Sequence, residues 1–266
     1  MIHKVISDYT ATIHIEGTGD VERRLQVTPE IAGWEYLYFR TYTYRKGMVI
    51  NGESAGEEMV MVLLSGSVVM EVEGQRWELD GRSTVFDGRP HTIYLPPHYD
   101  YKMTVRADSD CAYSRAPAKG LLKPRYIPPE ALKVEKVGEG LFEHQVTHIL
   151  DCGDAEMLLC VEVHTPAGHW SDFPGHRHIS LIGGPVNAVH YHRFRSARGW
   201  GLQRLYSADG SLDQALVVHT GDAVMVRQSA HPEVASPAAD MYTLNFLASV
   251  RPGWDVEPVA DPQQKE

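Results

Sequence analysis

The stretch 59-MVMVLLSGSVVMEVEG-74 decides the fold class. Two short runs of Val, Leu and Met are broken by Ser65-Gly66, which reads as a β-hairpin because small turn residues separate two β-rich segments. The same texture continues outward. QRWELDGRSTVF (75–86), HTIYLPP (91–97) and DYKMTV (100–105) are short apolar segments bounded by Gly, Pro or Asp. The second half carries EMLLCVEVHT, AVHYHRF, WGLQRLY, QALVVHTGDAVMV and DMYTLNF. No segment sustains a helical period, and PPEALKVEKV (128–137) suits one short turn at most. Closely spaced strand signals predict an all-β sandwich or barrel.

The halves resemble each other. SGSVVMEVEG followed by DGRPHTIYLPPHYDYKM has a counterpart in HYHRFRSARGWGLQRLY followed by TGDAVMVRQSAHPEV. Such a duplication predicts a bicupin, two tandem jelly-roll β-barrels. The expected boundaries are an N-terminal barrel over 1–115, a crossover over 116–150 and a C-terminal barrel over 151–266. The prolines of RAPAKGLLKPRYIPPE (115–130) suggest the crossover. The N-terminal barrel is expected to be metal-free, since His98 is its single histidine in a ligand-like place.

The 266 residues carry 25 Lys plus Arg against 35 Asp plus Glu, a net charge of −10. That balance excludes a phosphate-backbone binder, so no nucleic-acid partner is expected. No apolar run approaches a membrane span, and the first residues carry no secretory pattern. Cys111, Cys152 and Cys160 lack CxxC spacing and suit buried thiols in a reducing compartment. A cytoplasmic protein, with the option of a homo-oligomer, is expected.

Histidine is the unusual residue, with 14 copies. His176-Arg177-His178 follows Pro-Gly at a strand entry, and alternate strand residues share a face. His231 follows the apolar strand AVMV after Gly221-Asp222. Two imidazoles from one strand and one from another suit an open divalent-metal site, with Zn, Mn or Fe as candidates. From Phe173 to Ala208 there is no Asp or Glu, yet Arg177, Arg193, Arg195, Arg198 and Arg204 occur. Guanidinium forks match carboxylates, so an anionic ligand is expected near the metal. Arg195 and Arg198 read as solvent-facing, whereas Arg193 and Arg204, set in apolar strand patterns, are the expected substrate-binding residues along with Gln203. Tyr242 and Asn245 alternate with apolar residues and are candidates to line the pocket. No GxSxG, Walker or GxGxxG motif occurs.

These residues carry a family resemblance. VTPEIAGWEYLYFR, YLPP, VEVHTPAGHWSDFPGHRH, GWGLQRLYS with GSLDQALVV, then GDAVMV…HP and YTLNF resemble the deoxy-uronate isomerases. This family of bicupins includes the 5-deoxy-glucuronate isomerases of myo-inositol catabolism and the 4-deoxy-hexuronate isomerases of pectin breakdown. The resemblance runs from about Val27 to Ala248. It implies a metal in the C-terminal barrel and a reaction that moves a carbonyl between neighbouring carbons of a sugar acid. The family's ligands fall on His176, His178 and His231, but its glutamate position falls on Ala188. The acidic residue after HxH is Ile179, the Asp-Glu pair after Ser-Leu is Asp213-Gln214, and the Pro-x-Gly turn has become Arg227-Gln228-Ser229. Ala188, His190 and His192 alternate along one strand, so His190 is the expected fourth ligand and His192 a proton carrier, with Tyr242 as a further catalytic candidate. The expected function is thus a metal-dependent aldose–ketose isomerase of a deoxy- or keto-sugar acid. A non-catalytic sugar-acid-binding bicupin and an Fe(II) cupin dioxygenase are the alternatives.

Overall fold

The computed structural model describes residues 5–6, 11–15, 19–180, 182–250 and 253–263, with side chains from residue 21 onward. The described chain is almost entirely antiparallel β, with helical structure confined to short pieces such as Pro29–Ala32 and the 3₁₀ turns Pro129–Ala131 and Gly140–Phe142. It forms two compact units, each an antiparallel β structure. No described helix is long and apolar enough to cross a membrane.

The N-terminal unit is built on a nine-stranded sheet. Its spine is the antiparallel pair Glu57–Val72 and Asp100–Pro117. Here the structure corrects the hairpin expected at Ser65-Gly66. The chain passes straight through as one strand, and the register shifts between Leu63, Ser65 and Ser67 mark a bulge. Gly66 has φ +95° and lies so close to Ser109 that a Cβ has no room. Glycine served close backbone approach at a bulge, not a turn. The reversal comes at Glu73-Gly74, leading into Gln75–Asp80.

The C-terminal unit holds a seven-stranded sheet, a four-stranded sheet and a two-stranded ribbon. Residues 133–150, read from the nearby prolines as part of a crossover, instead supply the strands Lys133–Val137 and His144–Leu150 of the larger sheet. The two-residue strand Val5–Ile6 also pairs there, on Ala223–Val226. The centre of this sheet is Asn187–Phe194 between Ala223–Val226 and Met241–Ala248, in a register that sets His190 opposite Asn245 and Val224. The facing sheet carries Gly201–Tyr206 and Glu233–Ala235. Leu205, Val224, Val226, Ala235 and Leu247 form part of the core between them.

Candidate metal centre and active site

His176–His178 is a three-residue strand paired with Val256–Pro258. Its entry is tight: Gly175 abuts the Tyr206 hydroxyl so closely that a Cβ has no room. Alternation sends both imidazoles to one side of the ribbon, where they meet His231. One nitrogen from each of His176, His178 and His231 falls within 4.8 Å of the other two. Ring centroids are 5.5 Å apart for His176–His178 and 5.1 Å for each of those rings to His231.

The second nitrogens of His231 and His176 are fixed by the backbone. Nδ1–H of His231 donates to the Ser229 carbonyl (3.0 Å), and Nδ1–H of His176 to that of Pro174 (3.3 Å). Each bond leaves Nε2 as the lone-pair nitrogen, the arrangement in which a ligand imidazole is held by an outer hydrogen bond. Nε2 of His231 is closed to solvent and has no hydrogen-bond partner among the described residues. Burial, reinforced by the charges of His190 and His176, lowers His231 to about 4. Burial lowers His178 as well, well below the usual imidazole range. These rings are therefore neutral at physiological pH, which is the form that binds metal. An orphaned buried lone pair among three converging imidazoles fits a divalent cation.

Beside the trio lies a buried hydrogen-bond network. Nδ1 of His190 is 2.5 Å from Oε1 of Glu233. Gln203 Nε2 donates to the same oxygen (2.9 Å), and Thr243 Oγ1 donates to Oε2 (2.9 Å). His192 Nε2 stands 3.6 Å from Oε2. Burial opposes a charge on Glu233, but the imidazoles of His192 and His190 outweigh it and hold the carboxyl well below its usual range. With Nδ1–H committed to Glu233, Nε2 of His190 is a lone pair with no partner among the described residues. The His190 ring sits 5.0 Å from that of His231. Its nitrogen, however, groups with carboxylate oxygens of Asp172 and Glu233, not with the three imidazoles. Asp172 Oδ1 lies 3.9 Å from His176 Nε2, so it is the carboxylate beside the trio where Ala188 offers none.

Residues 13–264 match the model of the KduI/IolB family. The chain belongs to the KduI/IolB family. A 5-deoxy-glucuronate isomerase of Geobacillus thermodenitrificans is 36% identical over 236 residues, 86% of each chain. One of Bacillus subtilis is 26% identical over 86% of this chain and 87% of its own. An IolB-like protein from Salmonella typhimurium superposes with TM-score 0.86 at 30% identity, covering 95% of both chains. An oxalate decarboxylase of Bacillus subtilis, 10% identical, gives TM-score 0.66 over 97% of this chain and 80% of that one, a likeness of fold alone. The fold is thus the all-β bicupin, and the KduI/IolB chain is an isomerase.

Three expected residues of this KduI/IolB chain lie elsewhere. Arg193 follows His192 and so faces the opposite side of the strand from His190 and His192; its Nε donates to the Tyr191 hydroxyl (3.1 Å). Arg204 is likewise turned away from the inward Gln203, and its guanidinium forks onto both Asp213 and Asp261. Tyr242 lies opposite Arg193 on that outer face, with its hydroxyl donating to Glu162 (2.7 Å). Arg177, between His176 and His178 on the same strand, faces the other side from their imidazoles, and it lines an open cleft of about 520 Å³ with His178, Ser180, Gly184 and Gln228. It pairs with Glu257.

Two site residues escaped the sequence reading, Glu233 and Asp172. Glu233 was legible by the logic applied to HxH, since His231 and Glu233 are two residues apart at a strand entry. Asp172 had only the turn-like context Ser-Asp-Phe-Pro-Gly.

Proposed function

We propose that this chain is a metal-dependent aldose–ketose isomerase of a deoxy-sugar acid, with a 5-deoxy-glucuronate-like substrate. The carrying observation is the unpartnered, solvent-closed Nε2 of His231 among the imidazoles of His176 and His178. Those three side chains would hold a divalent cation, Zn, Mn or Fe. When bound, it polarises a carbonyl and steadies negative charge on the neighbouring oxygens.

The chain's own groups handle the protons. In aldose–ketose isomerisation one proton moves between adjacent carbons and another between their oxygens, with no net redox change. His190 Nε2, its Nδ1–H held by Glu233, is the lone pair placed to take the carbon-bound proton and return it to the neighbouring carbon. Gln203 and Thr243 keep the Glu233 carboxylate in position.

The test compares wild type with His178→Ala and His190→Asn, measuring bound metal and isomerisation of 5-deoxy-glucuronate. Wild type should carry about one divalent ion per chain. His178→Ala should lose both ion and activity. His190→Asn should keep the ion while kcat falls by roughly 10²–10⁴. A metal-stripped wild type that isomerises at full rate would overturn the metal reading, and a fully active His190→Asn the proton role.

A further inference from the structure

The C-terminal unit does not hold the only built cavity. In the N-terminal unit, the strands Tyr38–Tyr44 and Asp100–Pro117 pair so that Tyr38 lies opposite Arg115, Arg40 opposite Tyr113 and Tyr42 opposite Cys111. Directly opposed residues share a face, and all of these but Cys111, with Tyr44 and Tyr101, line a cavity of about 160 Å³. Its walls are aromatic. Tyr42 stacks on Tyr44 at 5.8 Å between centroids and meets Tyr113 edge-on at 5.6 Å. Tyr101 reaches its place because Gly52 opposite has no side chain, and a Cβ there would run into the tyrosine ring.

The charges are unevenly matched. Arg115 is offset: its Nη2 donates to the Glu53 carbonyl (2.7 Å), and its Nη1 lies 3.6 Å from Glu57. Arg40 is half-buried and forms neither an ion pair nor a side-chain hydrogen bond among the described residues. Its Nε is closed to solvent without a partner. A buried guanidinium donor left unsatisfied is costly, and its usual explanation is a ligand, ion or water that completes it.

We propose that this cavity is a second binding site, for a hydroxylated, ring-sized monocarboxylate whose carboxylate pairs with Arg40. The size argument is direct, since cavities near 150 Å³ accommodate one six-membered ring, whereas drug-sized ligands need roughly 300 Å³ or more. Tyrosine faces stack on the C–H face of a ring while their hydroxyls reach its polar edge. Among the described residues Arg40 is the uncompensated cation of the wall, and the carboxylate of Glu53 at the exposed mouth disfavours a dianion. This inference stands apart from the isomerase reading, because every residue it uses lies in the N-terminal unit.

The test is calorimetric titration of D-glucuronate and D-glucose into the full-length His178→Ala protein, where the C-terminal trio is broken. It is repeated with Arg40→Met, Arg40→Lys or Tyr42→Phe added. D-glucuronate should bind at about one equivalent per chain; Arg40→Met should weaken it about tenfold or more, and Arg40→Lys less, because the charge remains without the fork. Tyr42→Phe should weaken it several-fold and serves, with Arg40→Lys, if Arg40→Met fails to fold. Glucose should bind far more weakly than glucuronate. Absence of glucuronate binding to His178→Ala, binding indifferent to Arg40 and Tyr42, or equal binding of glucose would each overturn the proposal.

Discussion

His190 and Glu233 lie 43 positions apart in sequence, yet they share a 2.5 Å hydrogen bond in the buried interior of the C-terminal unit. A carboxylate in such a place survives only when its lone pairs are met, and here His190, Gln203 and Thr243 meet them. Glu233→Gln keeps the shape and removes the charge. The expected result is a loss of about 1.5–3 kcal/mol of stability in urea unfolding, together with a lower kcat because the partner of His190 Nδ1–H loses its negative charge. An unchanged unfolding midpoint would show that the charge does not hold this network together.

The substrate carboxylate gives a second prediction, because neither Arg177 nor the arginines favoured by sequence pattern face the same side as the histidines or Gln203 beside them. Arg177→Met, at a strand position facing away from the His176 and His178 imidazoles, should leave KM for the sugar acid and for a neutral analogue near wild type. Arg193→Met should leave both unchanged, because Arg193 faces away from His190 and His192. An Arg193→Met protein with an acid-specific rise in KM would reinstate the original assignment.

Arg204 ties the strand Asp213–Val218 and the segment around Asp261 to its own strand, and its charge holds both carboxyls below their usual range. A carboxyl depressed in the folded state contributes stability above its unfolded pKa and loses it as pH falls through the folded value. The gap in thermal midpoint between wild type and Arg204→Met should therefore be present at neutral pH and shrink below about pH 4. Solvent screening limits it to about 1 kcal/mol. A gap that grows in acid would contradict the assignment.

What the sequence disclosed, it disclosed through periodicity. Alternation placed His176 with His178, and His190 with His192, because strand side chains alternate whatever the register. Alternation does not say which face is inward. In Asn187–Phe194 nearly every residue is buried, on both faces of the sheet, so apolar neighbours around Arg193 carried no information about direction. Arg204 misled for another reason: its neutralising partners, Asp213 and Asp261, are 9 and 57 positions away and outside the acid-free segment. Ser65-Gly66 was ambiguous in itself, since a glycine with positive φ serves a bulge as well as a turn.

Tyr242 provides the last test, because its sequence context and its position point to different roles. It is fully buried, and it alternates with Thr243, whose hydroxyl reaches Glu233 on the inner face. Its own hydroxyl therefore points to the other side, where it donates to the buried carboxylate of Glu162 at 2.7 Å, with the His164 ring 5.3 Å away. Tyr242→Phe removes one donor to a buried carboxyl and leaves the packing volume almost unchanged. Such a loss costs about 1–3 kcal/mol, so unfolding by urea should shift to lower concentration. The metal content and the kcat for the sugar acid should stay near wild type, since the hydroxyl faces Glu162, away from the side on which Thr243 reaches Glu233. If Tyr242→Phe instead kept full stability and lost activity, the hydroxyl would have to act on substrate, and its outward placement would be wrong.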